Sequence, residues 1–330
     1  MSEKFRALVV NKINEDFTVS INDLIMEDLP EGEVTIRVAY SSVNYKDGLA
    51  SIPEGQIVKS YPFIPGIDLV GTVVTSTNSQ YQKGDEVIVT SYGLGVSHYG
   101  GYSEYARVPA HWVVPLPKGL TMKEAMAFGT AGFTAALSVY KLEEAGLTPD
   151  QGPVLVTGAT GGVGSVAIAI LAKKGYEVVA STGKASEHEY LKLLGAKKII
   201  SRSELQPEKI RGLGTQMWAG AVDPVGGDTL AYILSTVNYG GAVAVCGLTG
   251  GVKVPTTVFP FILRGIKLLG IDSVDCPMKI RKPLWQKMAG EMKPDQLLSS
   301  IGQEVTLDEL PNILPGILKG KTKGRLIVKI

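Results

Sequence analysis

Val154-Leu-Val-Thr-Gly-Ala-Thr-Gly-Gly-Val-Gly-Ser-Val-Ala-Ile-Ala-Ile-Leu-Ala172 is the stretch on which the fold turns. A short apolar run, the mark of a buried strand, breaks into glycines at 158, 161, 162 and 164 and resumes as small and apolar residues with helical character. Glycines so placed make a tight turn, let backbone approach a pyrophosphate, and let helix and strand pack closely. The helix start adds free N–H groups and a positive dipole end. Set against G-x-G-x-x-G, the first position holds Ala159, so the strict fingerprint misses by one methyl. A glycine turn serving only packing would look the same in isolation.

The following chain supplies the context. A strand over Val154–Val156 leads to a helix from Gly162 to about Lys174, a strand at Glu177–Ala180, a helix near Glu187–Leu194 and a strand at Lys198–Ile200. Further strands are predicted at Ala219–Val222, Ala242–Cys246 and Ile266–Ile271, with a helix around Thr229–Thr236. Short Val/Ile/Ala runs separated by helices predict a doubly wound parallel α/β sheet covered on both faces. With that context the glycine turn reads as a dinucleotide site in a Rossmann domain.

The first third differs. Short strands at Ala7–Val10, Glu33–Tyr40, Gly71–Val74, Glu86–Thr90 and Tyr105–Pro109, separated by Gly, Pro or Asn, predict an antiparallel, partly barrel-like domain. Thr121-Met-Lys-Glu124 then has the form of a helix start. The tail, Gly320-Lys-Thr-Lys-Gly-Arg-Leu-Ile-Val-Lys-Ile330, reads as a basic turn followed by a strand that either domain could take.

The 330 residues allow two cores, and 45% hydrophobic with 20% charged residues is the balance of a folded protein. Thirty-three Lys and Arg against 32 Asp and Glu leave no field to favour nucleic acid or anionic lipid. No apolar run reaches the ~18 residues of a membrane span, and two cysteines, Cys246 and Cys276, are too few for a disulfide framework. A protein of the reducing cytoplasm is expected.

Cofactor choice should show at the end of the second strand, where an acid would grip the ribose hydroxyls of NAD. Tyr176-Glu-Val-Val-Ala-Ser-Thr-Gly-Lys184 ends instead in two hydroxyls and a lysine, while Glu177 sits at the strand's start. Lys184, and Arg202 after the third strand, are therefore candidates for a 2′-phosphate, which selects NADPH. Both also read as ordinary solvated charges.

Further stretches concur: Val43-Asn-Tyr-Lys-Asp47, Pro65-Gly-Ile-Asp68, Gly100-Gly-Tyr-Ser-Glu-Tyr-Ala106, Gly129-Thr-Ala-Gly-Phe-Thr134, Asp223-Pro-Val-Gly-Gly227, Tyr239-Gly-Gly241 and Pro260-Phe-Ile-Leu-Arg264. With the glycine turn, and over nearly the whole chain, they resemble the medium-chain dehydrogenase/reductase superfamily. Within it they resemble the zinc-free, quinone-oxidoreductase-like branch that includes acryloyl-CoA reductases. The resemblance implies a partly open antiparallel β-barrel (GroES-like) catalytic domain at 1–124 and 296–330, a Rossmann domain at 125–295, and an active site in the cleft between them. It also implies a homodimer. Thr160, Gly161, Gly162 and Val163 would touch the pyrophosphate; Thr182, Gly183 and Lys184 the 2′-phosphate; Leu248, Ile262 and Ser273 other parts of the nucleotide.

Zinc relatives need clustered Cys and His ligands. Here Pro65-Gly-Ile-Asp68 occupies the stretch of their Gly-His-Glu, and two distant cysteines with His98, His111 and His188 assemble neither a catalytic nor a structural site. A carbonyl must then be polarised by hydrogen bonds. By resemblance Tyr45, in what reads as a loop after a strand, either donates to the developing oxyanion or passes a proton, or only packs on the cofactor. Asp68 either orients a neighbour or caps a turn, and His98 lies in a glycine-rich loop. The expected reaction is reduction by NADPH of an activated C=C bond, acryloyl-CoA to propanoyl-CoA, with quinone reduction and a non-catalytic NADPH-binding role as alternatives.

Overall fold

A computed structural model describes residues 4–14, 16–295, 297–320 and 322–330. Two compact units emerge: one holds the chain to Thr130, Val274–Lys282 and Leu297–Ile330, the other Ala131–Ser273 and the stretch from Pro283 up to Leu297. The domain limits expected at residues 1 and 296 fall outside the described residues.

In chain order the elements are β1 (Lys4–Ile13), β2 (Asp16–Ile25), β3 (Val34–Ser42), α1 (Tyr45–Ala50), β4 (Asp68–Ser76), β5 (Glu86–Thr90), β6 (Tyr105–Val108), β7 (Val114–Pro115) and α2 (Met122–Glu144). The second unit continues with β8 (Val154–Val156), α3 (Gly162–Lys173), β9 (Val178–Thr182), α4 (His188–Leu193), β10 (Lys198–Ser201), β11 (Trp218–Asp223), α5 (Gly227–Thr236), β12 (Val237–Val245), α6 (Phe259–Arg264) and β13 (Lys267–Gly270). The last are α7 (Met278–Met288), α8 (Leu297–Ile301), β14 (Gly302–Thr306), α9 (Leu310–Leu318) and β15 (Arg325–Lys329).

The second unit's sheet is wholly parallel, in the order β10-β9-β8-β11-β12-β13. That order reverses beside β8, and the carboxyl ends on either side of such a reversal form the crevice where dinucleotides bind. Because parallel strands are covered on both faces, α3 buries an unbroken run from Gly164 to Leu171. The core of this unit gathers Leu155, Val179, Ile200, Trp218, Leu230, Ile233, Val243 and Ile266.

In the first unit β1 and β2 form an antiparallel hairpin, and a curved sheet runs β14-β15-β3-β4-β5-β7 with β6 also on β3. The strands pair antiparallel except β14 with β15. One core lies under β1, Leu310, Leu314 and Val328; another between β3, β4 and β5 around Ile36, Leu69, Val87 and Leu94. The tail strand β15 pairs with β3, in this unit.

One expectation needs correction. Asn44–Asp47 is not a loop but the start of helix α1. Asn44 is extended (φ −127°, ψ 159°), and its N–H donates to Asp47 Oδ2 at 2.8 Å, the reciprocal half of a capping box. Six residues are too few for a helical apolar period, and Gly48 weakens the pattern further.

Candidate active site

Behind Tyr45, the first unit buries a charged cluster drawn from β3, α1, β4, α2 and β15. Asp68 is fully buried; its Oδ2 accepts from Ser42 Oγ (2.6 Å), Asn44 Nδ2 (2.8 Å) and the Thr130 N–H (2.9 Å), and Thr130 Oγ1 donates to its Oδ1. Arg325, 3% exposed, sets Nη2 3.6 Å from Asp68 Oδ2 and 2.7 Å from Ser42 Oγ, while Nη1 donates to Val43 O and Asn44 Oδ1. A buried ion pair survives only when its remaining donors and acceptors are met, and these nearly are; of the pair's atoms Arg325 Nε is buried without a partner among the described residues.

Asp47 lies beside this pair, fully buried, accepting from the Ile67 N–H at 3.0 Å as well as from Asn44. Burial first, and the charge of Asp68 second, push its carboxyl up to about 7. Burial, then Asp47, raises the Tyr102 phenol well above its usual range, and burial lowers Arg325 against the pull of both acids. The outcome is a rigid platform for a half-exposed tyrosine: Tyr45, first residue of α1, is 51% exposed while Asn44 and Asp47 on either side are fixed.

In the second unit Gly158 (φ +53°) makes the turn after β8, and the Gly161 N–H closes it onto Gly158 O at 2.9 Å. A Cβ on Gly164 would stand 2.4 Å from Gly158 O, so this glycine allows α3 to approach the strand. Ala159 is buried, and its methyl occupies none of these three positions. No side chain caps α3 at Gly161, which leaves the first-turn N–H groups of Gly162 and Val163 directed at the crevice, beside Thr160. These residues fit the pyrophosphate of a dinucleotide.

At the carboxyl end of β9, Thr182 Oγ1 accepts the Lys184 N–H at 3.0 Å. Arg202 comes from the end of β10 and lies flat against Gly183, where a Cβ would stand 3.3 Å from its guanidinium carbon. Thr182, Gly183, Lys184 and Arg202 thus meet at one corner, with a donor set suited to a phosphate. Asp223 ends β11 and staples its own turn, accepting from the Val225 and Gly226 N–H groups and Thr157 Oγ1. Leu248 and Ile262 are 63% and 68% exposed, and Ser273 is buried, accepting from Thr134 Oγ1 at 2.7 Å. A cavity of about 400 Å³ lined by Gly146, Asn238, Tyr239 and Lys267 lies at the opposite, amino-terminal edge of this sheet.

Sequence reasoning left out Ser42, Tyr102, Thr130 and Arg325, and also Arg281, which is 1% exposed and ties Val274 and Cys276 to Thr90. The only signal for Arg325 was a charge opening an apolar strand. His98 packs on Trp112 and hydrogen-bonds Arg107 O at 2.7 Å.

Residues 30–118 match the alcohol dehydrogenase GroES-like domain, and residues 162–293 the zinc-binding dehydrogenase family. The chain is 56% identical over the full length of both chains to "Putative quinone oxidoreductase YhfP" of Bacillus subtilis. The chain belongs to the medium-chain dehydrogenase/reductase superfamily. This medium-chain dehydrogenase/reductase is also 50% identical to the acrylyl-CoA reductase AcuI of Ruegeria pomeroyi, over 99% of each chain. Its structure superposes on the crystal structure of the Bacillus subtilis protein yhfP with NAD bound at a TM-score of 0.98 over all of both chains. With the yhdH oxidoreductase of Salmonella enterica in complex with NADP the score is 0.96 at 46% identity, over 98% of this chain and 99% of that one. Despite the zinc in one family's description, no group of three or more His, Cys, Asp or Glu side chains gathers as a metal site among the described residues. Asp68, in the stretch where zinc relatives carry Gly-His-Glu, is spent on Ser42, Asn44, Thr130 and Arg325. No helix of the described residues is long and apolar enough to cross a membrane.

Proposed function

We propose that this protein is a zinc-independent, NADPH-dependent reductase of an activated C=C bond, converting acryloyl-CoA to propanoyl-CoA. The observation that carries the reading is a half-exposed tyrosine on a platform of buried, mutually satisfied charges, in a chain 50% identical to an acrylyl-CoA reductase. NADPH rather than NADH is supported by the corner of Thr182, Gly183, Lys184 and Arg202 and by the relatives crystallised with NADP or NADPH. The relative with NAD bound makes a direct comparison of the two cofactors necessary.

When bound, NADPH supplies the hydride, which adds to the β-carbon of the substrate. The chain's own residues do the rest. Thr160, Gly161, Gly162 and Val163 hold the pyrophosphate; Leu248, Ile262 and Ser273 bound the remaining nucleotide. The Tyr45 hydroxyl donates to the thioester oxygen as negative charge develops there and also lies against the cofactor. A donor held in place stabilises the transition state without reorganisation. The resulting enolate takes a proton from water at its α-carbon, which completes a two-electron reduction.

Quinone reduction is the second reading, favoured by the name of the 56% identical relative. Specificity constants for acryloyl-CoA, simple enones and quinones, each with NADPH and NADH, decide between them. A much higher constant for quinones overturns the thioester reading; no turnover of any acceptor leaves a binding protein. Tyr45→Phe should lower kcat by roughly 10²–10³-fold, whereas a tyrosine that only packs would leave most activity in place. We further propose a cytoplasmic homodimer, supported by two cysteines that are not joined in a disulfide and by an exposed apolar sheet edge at β13.

A further inference from the structure

Arg325 can neutralise one buried acid, and the cluster behind Tyr45 holds two. Its Nη2 stands 3.6 Å from Asp68 Oδ2 and donates to Ser42 Oγ, while Nη1 donates to Val43 O and Asn44 Oδ1, so both amino groups are engaged by partners other than Asp47. Among the described residues this leaves Asp47 with dipoles as partners: the N–H groups of Asn44 (2.8 Å) and Ile67 (3.0 Å) and the hydroxyl of Tyr102. A fully buried carboxylate without a counter-ion is costly, and uptake of a proton removes the cost. Burial pushes this carboxyl up to about 7, so its proton comes and goes near neutrality.

Tyr102 governs how that proton is held. Its main chain is fixed, with the Leu8 N–H on its carbonyl at 2.8 Å and its own N–H on Pro65 O at 3.1 Å, so the hydroxyl proton is the part that can turn. The hydroxyl donates to Ser42 O at 3.3 Å. In that orientation its oxygen accepts from a protonated Asp47; once Asp47 is ionised the hydroxyl turns to the carboxylate and leaves Ser42 O. The two states differ by one charge, placed two residues from Tyr45 in the first turn of α1. Other ionisable groups on or against α1, among the described residues, are Lys46, half-buried, and Glu54, exposed on the turn that follows. Tyr61 and Tyr99 pack on Ala50, Val58 and Phe63 at the far end of the helix. Helix α9, whose Ile317 and Leu318 meet α1 at Gly48, has no ionisable side chain.

We propose that Asp47 and Tyr102 are positioning residues for the reduction: the proton they share keeps a negative charge out of the turn that carries Tyr45, and hydride transfer slows when that proton leaves to water. The inference rests on the reading of Tyr45 as the donor to the substrate oxygen. Addition of hydride to the β-carbon puts negative charge on that oxygen, and a carboxylate within the same helical turn opposes it. With the screening of a protein interior the effect on rate is about tenfold. The loss ends on a plateau, because Tyr45 still donates when Asp47 is charged.

The test is the single-turnover oxidation of bound NADPH by acryloyl-CoA, followed by absorbance in the full-length enzyme between about pH 5 and pH 9. In the parent the rate should fall to a plateau about tenfold lower, centred near pH 7. Asp47→Asn should be flat across the range. Because that substitution weakens the cap of α1, Tyr102→Phe is the second arm: it keeps the carboxyl and removes a donor to its ionised form, so the fall should move upward by about one pH unit. Residues that only support the fold would lower the rate by one factor at every pH and leave the midpoint in place. A flat parent profile, or a fall that neither substitution alters, overturns the proposal. Tyr45→Phe separates this inference from the reading beneath it. Full turnover by that variant removes the tyrosine as donor and the inference with it, whereas reduced turnover beside a flat parent profile removes the inference alone. No oxidation of NADPH by acryloyl-CoA in the parent overturns both.

Discussion

Asp47 carries its proton into the pH range where enzymes are handled, and this has a definite sign. Its folded carboxyl sits at about 7 against an ordinary 3.8, so between those values the folded chain holds a proton that the unfolded chain has released. Stability from this group is full below the unfolded value and is lost as pH rises through about 7. Asp223, also raised by burial, acts in the same direction. Asp47→Asn should therefore flatten the fall in urea midpoint between about pH 4 and pH 7. It should also lower stability throughout, because one carboxamide oxygen cannot serve both the Asn44 and Ile67 N–H groups. An unchanged slope would refute the assignment. Lys184 gives a second residue-scale prediction: Lys184→Glu sets a repelling charge against a 2′-phosphate and should weaken NADPH by roughly ten- to a hundredfold relative to NADH. Fluorescence titration with both cofactors reads this directly. Lys184 could be proposed from the sequence because it stands two residues after its strand; the part of Asp47 could not, since its environment is made by Asp68 and Tyr102.

Among the elements, α2 shows how a distant acid shapes a helix. Thr121 and Glu124 cap its start reciprocally, Glu124 Oε2 accepting the Thr121 N–H at 2.9 Å and the Glu124 N–H reaching Thr121 Oγ1 at 3.2 Å. Eight residues after Thr121, Gly129 leaves the helical region (φ 52°, ψ −158°), and the helix restarts at Thr130 with its N–H on Asp68. Asp68 thus acts as the N-cap of the second piece from a strand elsewhere in the fold. A Cβ at 129 would stand 2.5 Å from both Asp68 Oδ2 and Ser42 Oγ and 2.7 Å from Arg325 Nη2. Gly129→Ala should therefore force apart a buried ion pair in addition to straining φ, and cost about 3 kcal/mol or more by urea unfolding. A loss below about 1 kcal/mol would show that the pair can relax around the methyl. The start of α2 was legible because Thr121 and Glu124 are three residues apart; the break was not, because its cause is sixty-two positions away in sequence.

For the whole molecule, β13 is the outermost strand at one side of the parallel sheet among the described residues. Leu268 on that strand is 41% exposed, and Val258, Phe259 and Leu263 in the preceding segment are between 48% and 62%. An apolar edge strand of this kind invites pairing with a second copy. Leu268→Lys should shift a dimer toward monomer in sedimentation at micromolar concentration while leaving the fold intact, and a parent that sediments as a monomer rules the dimer out. The sequence by itself determined the α/β character of the second unit and the glycine turn that suits a pyrophosphate. Each is built from residues close along the chain: a three-residue strand, a turn made at Gly158 and the twelve-residue helix α3 follow without interruption. Only the tertiary structure decided the platform under Tyr45, where Ser42 and Arg325 meet across 283 positions and Asn44 and Asp68 across 24. The physical reason is that a buried charge is tolerable only when several strands bring it partners at once, and no periodicity along one strand records where those partners will come from.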